Sequence, residues 1–333
     1  MQLHNSSNGK IMVSICCLAY NHEPYIRQCL DGFMIQKTDF PVEVLIHDDA
    51  STDGTADIIR EYEAKYPDII KPIYQTENQY SKGISVSCVY QFPRAKGKYI
   101  ALCEGDDYWT DPNKLQKQVD FLEANEDFSI CFHNVKIKRE KENDIITDYI
   151  TRKVPDITDI HELAKGNYMH TPSVVFRRND EVFKIISSPD IFVIDYVLHM
   201  FNAKFGKIKK IPDIMAVYRI HFSNAWVNND SISQSKNIQR YLKGLMDRFS
   251  PEINQVLKKR FINTSLYLAK YYHNIGNSEL SLFYFLEALN VQPNNIISNY
   301  FKKTMRNTLL LLAKRVFYQK IYYKIKRMLF NYI

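Results

Sequence analysis

Long hydrophobic runs are missing from this sequence. No stretch approaches the roughly eighteen apolar residues that would span a bilayer, and the run from Leu309 to Ala313 is far too short. The first ten residues, Met-Gln-Leu-His-Asn-Ser-Ser-Asn-Gly-Lys, carry no apolar core of the kind a secretory signal needs. Cysteine is present but not in pairs: Cys16, Cys17, Cys29, Cys88, Cys103 and Cys131 include no C-x-x-C spacing and lie mostly in apolar strand-like or helical contexts. That pattern argues against a zinc site or a disulfide framework and for buried thiols in a reducing cytoplasm. Neither sign of charge dominates. Lys and Arg number 44 against 37 Asp and Glu, and the net charge of +7 suits anionic ligands or a membrane surface without indicating nucleic acid. No nucleic-acid partner is expected. With 45% apolar and 24% charged residues, the composition is that of a globular protein rather than a disordered one. At 333 residues it has room for two domains, or for one large α/β domain with a helical appendage.

The first half alternates strands and helices. The continuous apolar run Ile11 to Leu18 predicts a strand buried on both faces. After the turn Tyr20-Asn21-His22-Glu23, Pro24 opens a helix with Ile26, Leu30, Phe33 and Met34 on one face. Val42 to His47 predicts a second strand, followed by the polar loop Asp48 to Thr55 and a helix over Ala56 to Tyr66. Two more strands are expected at Ile69 to Tyr74 and Tyr99 to Leu102, with a helix near Ser85 to Ala95 between them. Such alternation gives an α/β fold, a mostly parallel Rossmann-like sheet flanked by helices. Ligands of these sheets sit beyond the carboxyl ends of the strands, where the acidic loops after the second and fourth strands fall. Residues 128–235 form a mixed segment that completes the sheet. From 236 to 333 the chain predicts an all-helical extension, with a hairpin around Asn274-Ile275-Gly276-Asn277 whose pattern, through Pro293, resembles one tetratricopeptide unit. Its tail, Thr308 to Ile333, combines leucines with Lys314, Arg315, Lys320, Lys324, Lys326 and Arg327. It can lie on an anionic membrane or dock on the protein.

The most informative segment is Leu102 to Pro112, which places Glu104, Asp106 and Asp107 just after a strand. Three carboxylates so close raise one another's pKa unless a cation sits among them. Oxygen ligands from a short loop suit Mg²⁺ or Mn²⁺, which complete their shells with water and substrate phosphates. The plainer reading is a solvated turn, with Asp111-Pro112 capping the next helix.

Taken together, Val13 to Asn21, Asp48 to Thr55 and Glu104-Gly105-Asp106-Asp107 resemble, in order and spacing, the nucleotide-binding half of glycosyltransferase family 2. The likeness covers roughly residues 10 to 230. It implies a GT-A domain over 1–235, with a nucleotide-binding half at about 10–127 and an acceptor-facing, catalytic half at about 128–235. It implies that Ala19, Tyr20, Asn21, Asp49 and, on a looser match, Asn78 lie at the nucleotide, with Tyr20 against the base and Asp49 on the uracil imide or ribose. Asp106 and Asp107 would bind ribose and a Mg²⁺ or Mn²⁺ ion. Glu104 stands where Asp is commoner, which makes its direct contact with the metal less secure than that of Asp106.

Glycosyl transfer also needs a base for the acceptor hydroxyl. Asp195 lies in the apolar run Ile191 to Leu198, where desolvation would raise its pKa. The resemblance puts it in the base position, although Ile194 replaces the usual Gly; the competing role is a helix cap. Downstream, Ala216 to His221 and then Trp226 match a further family element. His221 would ligate the metal or bond a phosphate oxygen, and Arg219 would stabilise the departing diphosphate. Tyr168 to Ser173 resembles the loop that lines the sugar and acceptor pocket. The implied activity is an inverting, metal-dependent transfer from a nucleotide-sugar, with uridine diphosphate favoured, to a glycan or lipid-linked acceptor in surface polysaccharide synthesis. The implied location is the cytoplasm, within reach of the inner membrane face. A sugar-nucleotide pyrophosphorylase is the nearest rival, but the turn Ala19 to Glu23 has neither the glycine nor the basic residue that a triphosphate loop needs. A non-catalytic interaction protein built on a degenerate domain is the other alternative.

Overall fold

The computed structural model describes residues 9–188, 190–192, 194–221 and 230–291. Trp226, Pro293, the N-terminal eight residues and the basic tail Thr308 to Ile333 lie outside them. The chain divides into two compact units, Met1–Asn228 and Asn229–Ile333.

The first unit is built on one mixed sheet. Strand β1 (Val13–Ala19) lies between β2 (Val42–Asp48) and β4 (Tyr99–Leu102), parallel to both, and β3 (Ile73–Tyr74) extends the β2 edge. Every residue of β2 and β4 is buried, the apolar Val44-Leu45-Ile46 and Tyr99 to Leu102 along with the polar Glu43, His47 and Asp48. Beyond β4 the order continues through β9 (Val175–Arg177), β6 (Phe128–Arg139), β10 (Lys207–Ile220) and β5 (Tyr108–Trp109). Strand β9 is antiparallel to both β4 and β6, whereas β6 and β10 pair in parallel. The carboxyl ends of β1, β2, β4 and β10 therefore lie on one edge of the sheet, together with the start of β9. Short strands β7 (Asp144–Thr147) and β8 (Ile157–Thr158) pair antiparallel with β6 and β10.

Helices α1 (Glu23–Met34), α2 (Thr55–Lys65) and α3 (Lys114–Ala124) cover this sheet; α4 (Ile160–Ala164), α5 (Asp180–Ile186) and α6 (Asp195–Asn202) belong to its second half. The core gathers Ile15, Ile26, Phe33, Val44, Ile59, Trp109, Leu115 and Val119 between sheet and helices. Two expectations change. The strand foreseen from Ile69 shortens to Ile73–Tyr74, with Ile70 making one isolated bridge to Val44, because Pro72 has no N–H for the ladder. The helix foreseen near Ser85 to Ala95 is a π turn over Ser87–Gln91 running into a 3-10 turn over Phe92–Arg94. There the buried Gln91 side chain donates to the carbonyls of Cys17 and Leu45, tying the segment to two strands.

The second unit contains α7 (Ser231–Leu245), α8 (Pro251–Asn274) and α9 (Ser278–Val291). Gly276, at φ +77°, lets α8 turn into α9, and Leu268, Tyr272, Leu282, Phe285 and Leu289 close the core of that hairpin. No described helix is long and apolar enough to cross a membrane.

Candidate active site

The first two motifs interlock at the ends of β1 and β2. Asn21 takes the left-handed region (φ +54°), so its backbone N–H donates to Ser51 Oγ at 2.9 Å while its Oδ1 accepts from Thr52 N at 2.8 Å. Ala19 accepts from Asp49 N at 2.9 Å. Asp49 is buried. Its two oxygens accept the N–H groups of Gln79 (2.8 Å) and Tyr80 (3.0 Å), and Asn78 Nδ2 donates to its carbonyl at 3.2 Å. The carboxylate expected to meet a nucleotide thus also fixes the 78–80 loop beside it. Tyr20, by contrast, is 45% exposed, an aromatic face open at the sheet edge.

The acidic motif turns between β4 and β5. Asp106 Oδ2 stands 2.9 Å from His221 Nε2, at the end of β10, and 3.9 Å from His22 Nε2. Burial by itself would raise the Asp106 carboxyl, but the hydrogen bond to His221 and the charges of His22 and His221 outweigh it and hold the pKa below its ordinary value. Its neighbours respond the other way. Burial, then the charge of Asp106, pushes Glu104 and Asp107 well above the usual carboxylate range, and Asp195 adds to the effect at Glu104. Asp107 Oδ1 accepts the backbone N–H of Arg219 at 2.8 Å; its buried Oδ2 has no hydrogen-bond partner among the described residues.

Arg219 is 2% exposed and each of its three guanidinium nitrogens donates a hydrogen bond. It donates to Glu140 Oε1 at 2.8 Å, to the Asp106 carbonyl at 2.5 Å and to Gln28, and lies over the rings of Tyr25 and Tyr108. The geometry makes it a brace between β10 and the acidic turn. Asp195 begins α6 and takes a hydrogen bond from the Thr171 hydroxyl. Burial followed by the charges of Asp107, Glu104, Asp106 and Asp195 raises the Tyr218 hydroxyl. The edge therefore brings together Asp106, Asp107, His221 and Asp195, with Ala19, Tyr20, Asn21, Asp49 and Asn78 at the β1–β2 end.

Several residues here were not singled out from sequence. His22 sits in the Tyr20 to Glu23 turn and points its ring at Asp106. Thr171 lies in the loop assigned to the acceptor side. His170 pairs with Asp148 at 3.2 Å and packs against Tyr218 at a tilt of 36°, 4.6 Å between ring centroids. Polar residues in loops carry no periodicity, so only the fold could bring them to this edge.

The donor set fits a hard divalent cation in part. Asp106 Oδ2 and His221 Nε2, 2.9 Å apart and hydrogen-bonded to each other, are the two atoms that would have to turn from one another to such an ion. The unpartnered Asp107 Oδ2 and the raised Glu104 and Asp107 are what carboxylates show when a neutralising charge belongs nearby. No group of three or more His, Cys, Asp or Glu among the described residues is placed to hold a metal ion. Two protein ligands completed by water and phosphate oxygens suit Mg²⁺ or Mn²⁺ rather than a structural zinc.

The strand order and the acidic edge are those of a GT-A fold. The family model described as glycosyl transferase family 2 matches residues 14–181, just over half of the chain. The chain belongs to that family. An uncharacterized protein of Mycobacterium tuberculosis (strain ATCC 25618 / H37Rv) is 42% identical over 217 residues, which cover 64% of this chain and 60% of the relative; the match thus spans less than two thirds of that relative's length. The Escherichia coli UDP-Glc:alpha-D-GlcNAc-diphosphoundecaprenol beta-1,3-glucosyltransferase WfaP is 29% identical over 218 residues, 65% of this chain and 80% of WfaP. The crystal structure of Staphylococcus aureus TarS 1-349 in complex with UDP-GlcNAc superposes with a TM-score of 0.60 at 16% identity, covering 86% of this chain and 83% of TarS 1-349. At that identity the likeness shows the fold.

Proposed function

We propose that this chain is an inverting glycosyltransferase that moves a sugar from a uridine diphosphate sugar to a hydroxyl of a glycan or lipid-linked acceptor. The observation that carries the reading is the convergence of Asp106, His221 and Asp195 on one sheet edge, beyond the ends of β4 and β10. The UDP-sugars named for WfaP and TarS support the nucleotide, and the diphosphoundecaprenol named for WfaP supports a lipid-linked acceptor in surface polysaccharide synthesis. Such an acceptor would be met at the inner membrane face. The basic tail remains our candidate for that contact.

Within this scheme Tyr20 packs on the nucleobase, while Ala19, Asn21, Asp49 and Asn78 shape its cradle. Asp106, Asp107 and His221 would hold a Mg²⁺ or Mn²⁺ ion; what the ion would supply when bound is neutralisation of the diphosphate. Arg219 serves that end of the site through the acidic turn, since its guanidinium holds the Asp106 carbonyl. Asp195 takes the proton of the acceptor hydroxyl as it attacks the anomeric carbon from the face opposite the diphosphate. The Thr171 hydroxyl occupies Asp195 Oδ2 and so orients the carboxylate.

The test compares two variants in calorimetry with UDP and Mn²⁺ and in UDP release from a panel of UDP-sugars. Asp195→Asn should keep UDP affinity and slow turnover by about 10²–10⁴-fold, the usual contribution of a positioned base. Asp106→Ala should instead lose the Mn²⁺-dependent part of UDP affinity. Normal turnover by Asp195→Asn removes the base assignment, and unchanged affinity in Asp106→Ala removes the cation assignment.

A further inference from the structure

The chemistry above makes no use of three of the most deeply buried polar groups in the first unit. Trp109, Lys114 and Gln118 are 2%, 0% and 0% exposed. They follow the acidic motif within eleven residues of Asp107, on β5 and the first turns of α3. Lys114 Nζ donates to Gln118 Oε1 at 2.8 Å and lies 4.0 Å over the Trp109 ring. That contact decides which way the Gln118 amide faces. With its oxygen turned to Lys114, its nitrogen donates to the carbonyls of Ser173 and of Cys131 on β6, both at 2.9 Å. Trp109 Nε1 donates to the Pro172 carbonyl at 2.8 Å. Two consecutive carbonyls of the 171–173 turn are thus gripped by side chains from the segment that carries the acidic motif. The first residue of that turn, Thr171, hydrogen-bonds Asp195.

We propose that Trp109, Lys114 and Gln118 are positioning residues for the transfer step: they hold the 171–173 turn, and through Thr171 the Asp195 carboxylate, in register with the acidic motif. The proposal rests on the reading of Asp195 as the base. Its physical logic is that a lone hydroxyl on a surface turn would orient a carboxylate poorly. A turn fixed by two buried hydrogen bonds, themselves backed by a fully desolvated lysine, gives that hydroxyl little freedom. One segment then sets both ends of the reaction: the acids at the diphosphate and the base at the acceptor. The burial of Lys114, which pulls its pKa down to about 7, shows how far this clamp is removed from water.

The paired variant Lys114→Met/Gln118→Met replaces the buried polar pair by side chains of similar length and leaves no lone charge behind. It should bind UDP with Mn²⁺ within about threefold of the native value, and UDP release from UDP-glucose should fall at least tenfold. In crystals its Asp195 should have left the Thr171 hydroxyl. Thr171→Val, isosteric and outside the core, should give the same split between affinity and turnover, and Thr171→Ser should restore the rate. Adding Asp195→Asn to the paired variant should cost nothing further beyond Asp195→Asn alone, because both act through one carboxylate. If the paired variant does not fold, the Thr171 variants carry the same comparison. The proposal is overturned if Asp195 keeps its bond to Thr171 in crystals of the variants, or if UDP affinity falls in step with turnover, which is the mark of a purely structural role. It also falls if the Thr171 variants and the paired variant release UDP at the native rate. Native-rate UDP release by Asp195→Asn defeats the base assignment instead; the crystals then still report whether the clamp sets the position of that side chain.

Discussion

Asp49 shows how one side chain can serve fold and site together. A buried carboxylate is costly unless its oxygens accept hydrogen bonds, and both oxygens here are taken by the consecutive N–H groups of Gln79 and Tyr80. Charge-assisted bonds of this kind contribute about 1.5–3 kcal/mol each. Asp49→Ala should therefore release the 78–80 loop before it unfolds the sheet. Hydrogen exchange at the Gln79 and Tyr80 amides should quicken, and UDP affinity should fall with it. Unchanged exchange at both amides would mean that the loop holds its place without the carboxylate. His22 and Thr171 teach the complementary lesson. Neither belongs to a periodic pattern, so the sequence offers no signal for them beyond their proximity to motifs already noticed.

Elements determine how firmly those side chains are placed. Helix α1 seats on β5 at Gly32, where an added Cβ would stand 2.8 Å from the Trp109 carbonyl oxygen and 2.9 Å from its nitrogen, both rigid backbone. Gly32→Ala should cost about 1–3 kcal/mol as overpacking, read as a lower urea midpoint with an unchanged m-value. An undisturbed midpoint would show that α1 can lift from β5 freely. The strands legible in sequence were those buried on both faces. Val13–Ala19, Val42–Asp48 and Tyr99–Leu102 declare themselves by mostly apolar stretches followed by polar turns. Strands β6 and β10 did not, because their burial changes along their length: β6 is buried over residues 128–133 and alternates after them, and β10 carries an exposed stretch over 212–214 before the buried 215–217. Their parallel pairing joins residues about eighty positions apart and is interrupted by bulges near Ile211 and Ile214. The π and 3-10 turns at Ser87–Arg94 were equally out of reach, since Gln91 holds them through bonds to two distant strands.

Across the whole molecule the buried charge of Lys114 should be visible in stability against pH. Desolvation lowers its pKa from 10.5 to about 7 in the folded state. Below about 7 both states carry the proton and the burial penalty is present in full. Above it the unfolded chain binds more protons than the folded one, so this residue's contribution to stability rises with pH until the unfolded value is reached, at up to about 1.4 kcal/mol per pH unit. Cysteines such as Cys103, whose thiol burial pushes up to about 11, act in the opposite direction above their unfolded pKa. The measurement is therefore a difference: urea denaturation of the native chain and Lys114→Met at pH 7, 8 and 9, with the native chain gaining on the variant at each step. Parallel curves would place Lys114 in contact with water.

What the sequence determined by itself was local and repetitive. Apolar runs set the strands, polar loops at their ends marked the ligand edge, and three carboxylates after the fourth strand announced where charge would gather. Tertiary structure decided which of those groups meet. His221 reaches Asp106 because β10, far along the chain, runs parallel to β4, and Asp195 faces the same edge because β9 reverses direction beside it. Distance along a chain says nothing of distance in space until a sheet order is chosen, and that choice belongs to the packing of the whole core.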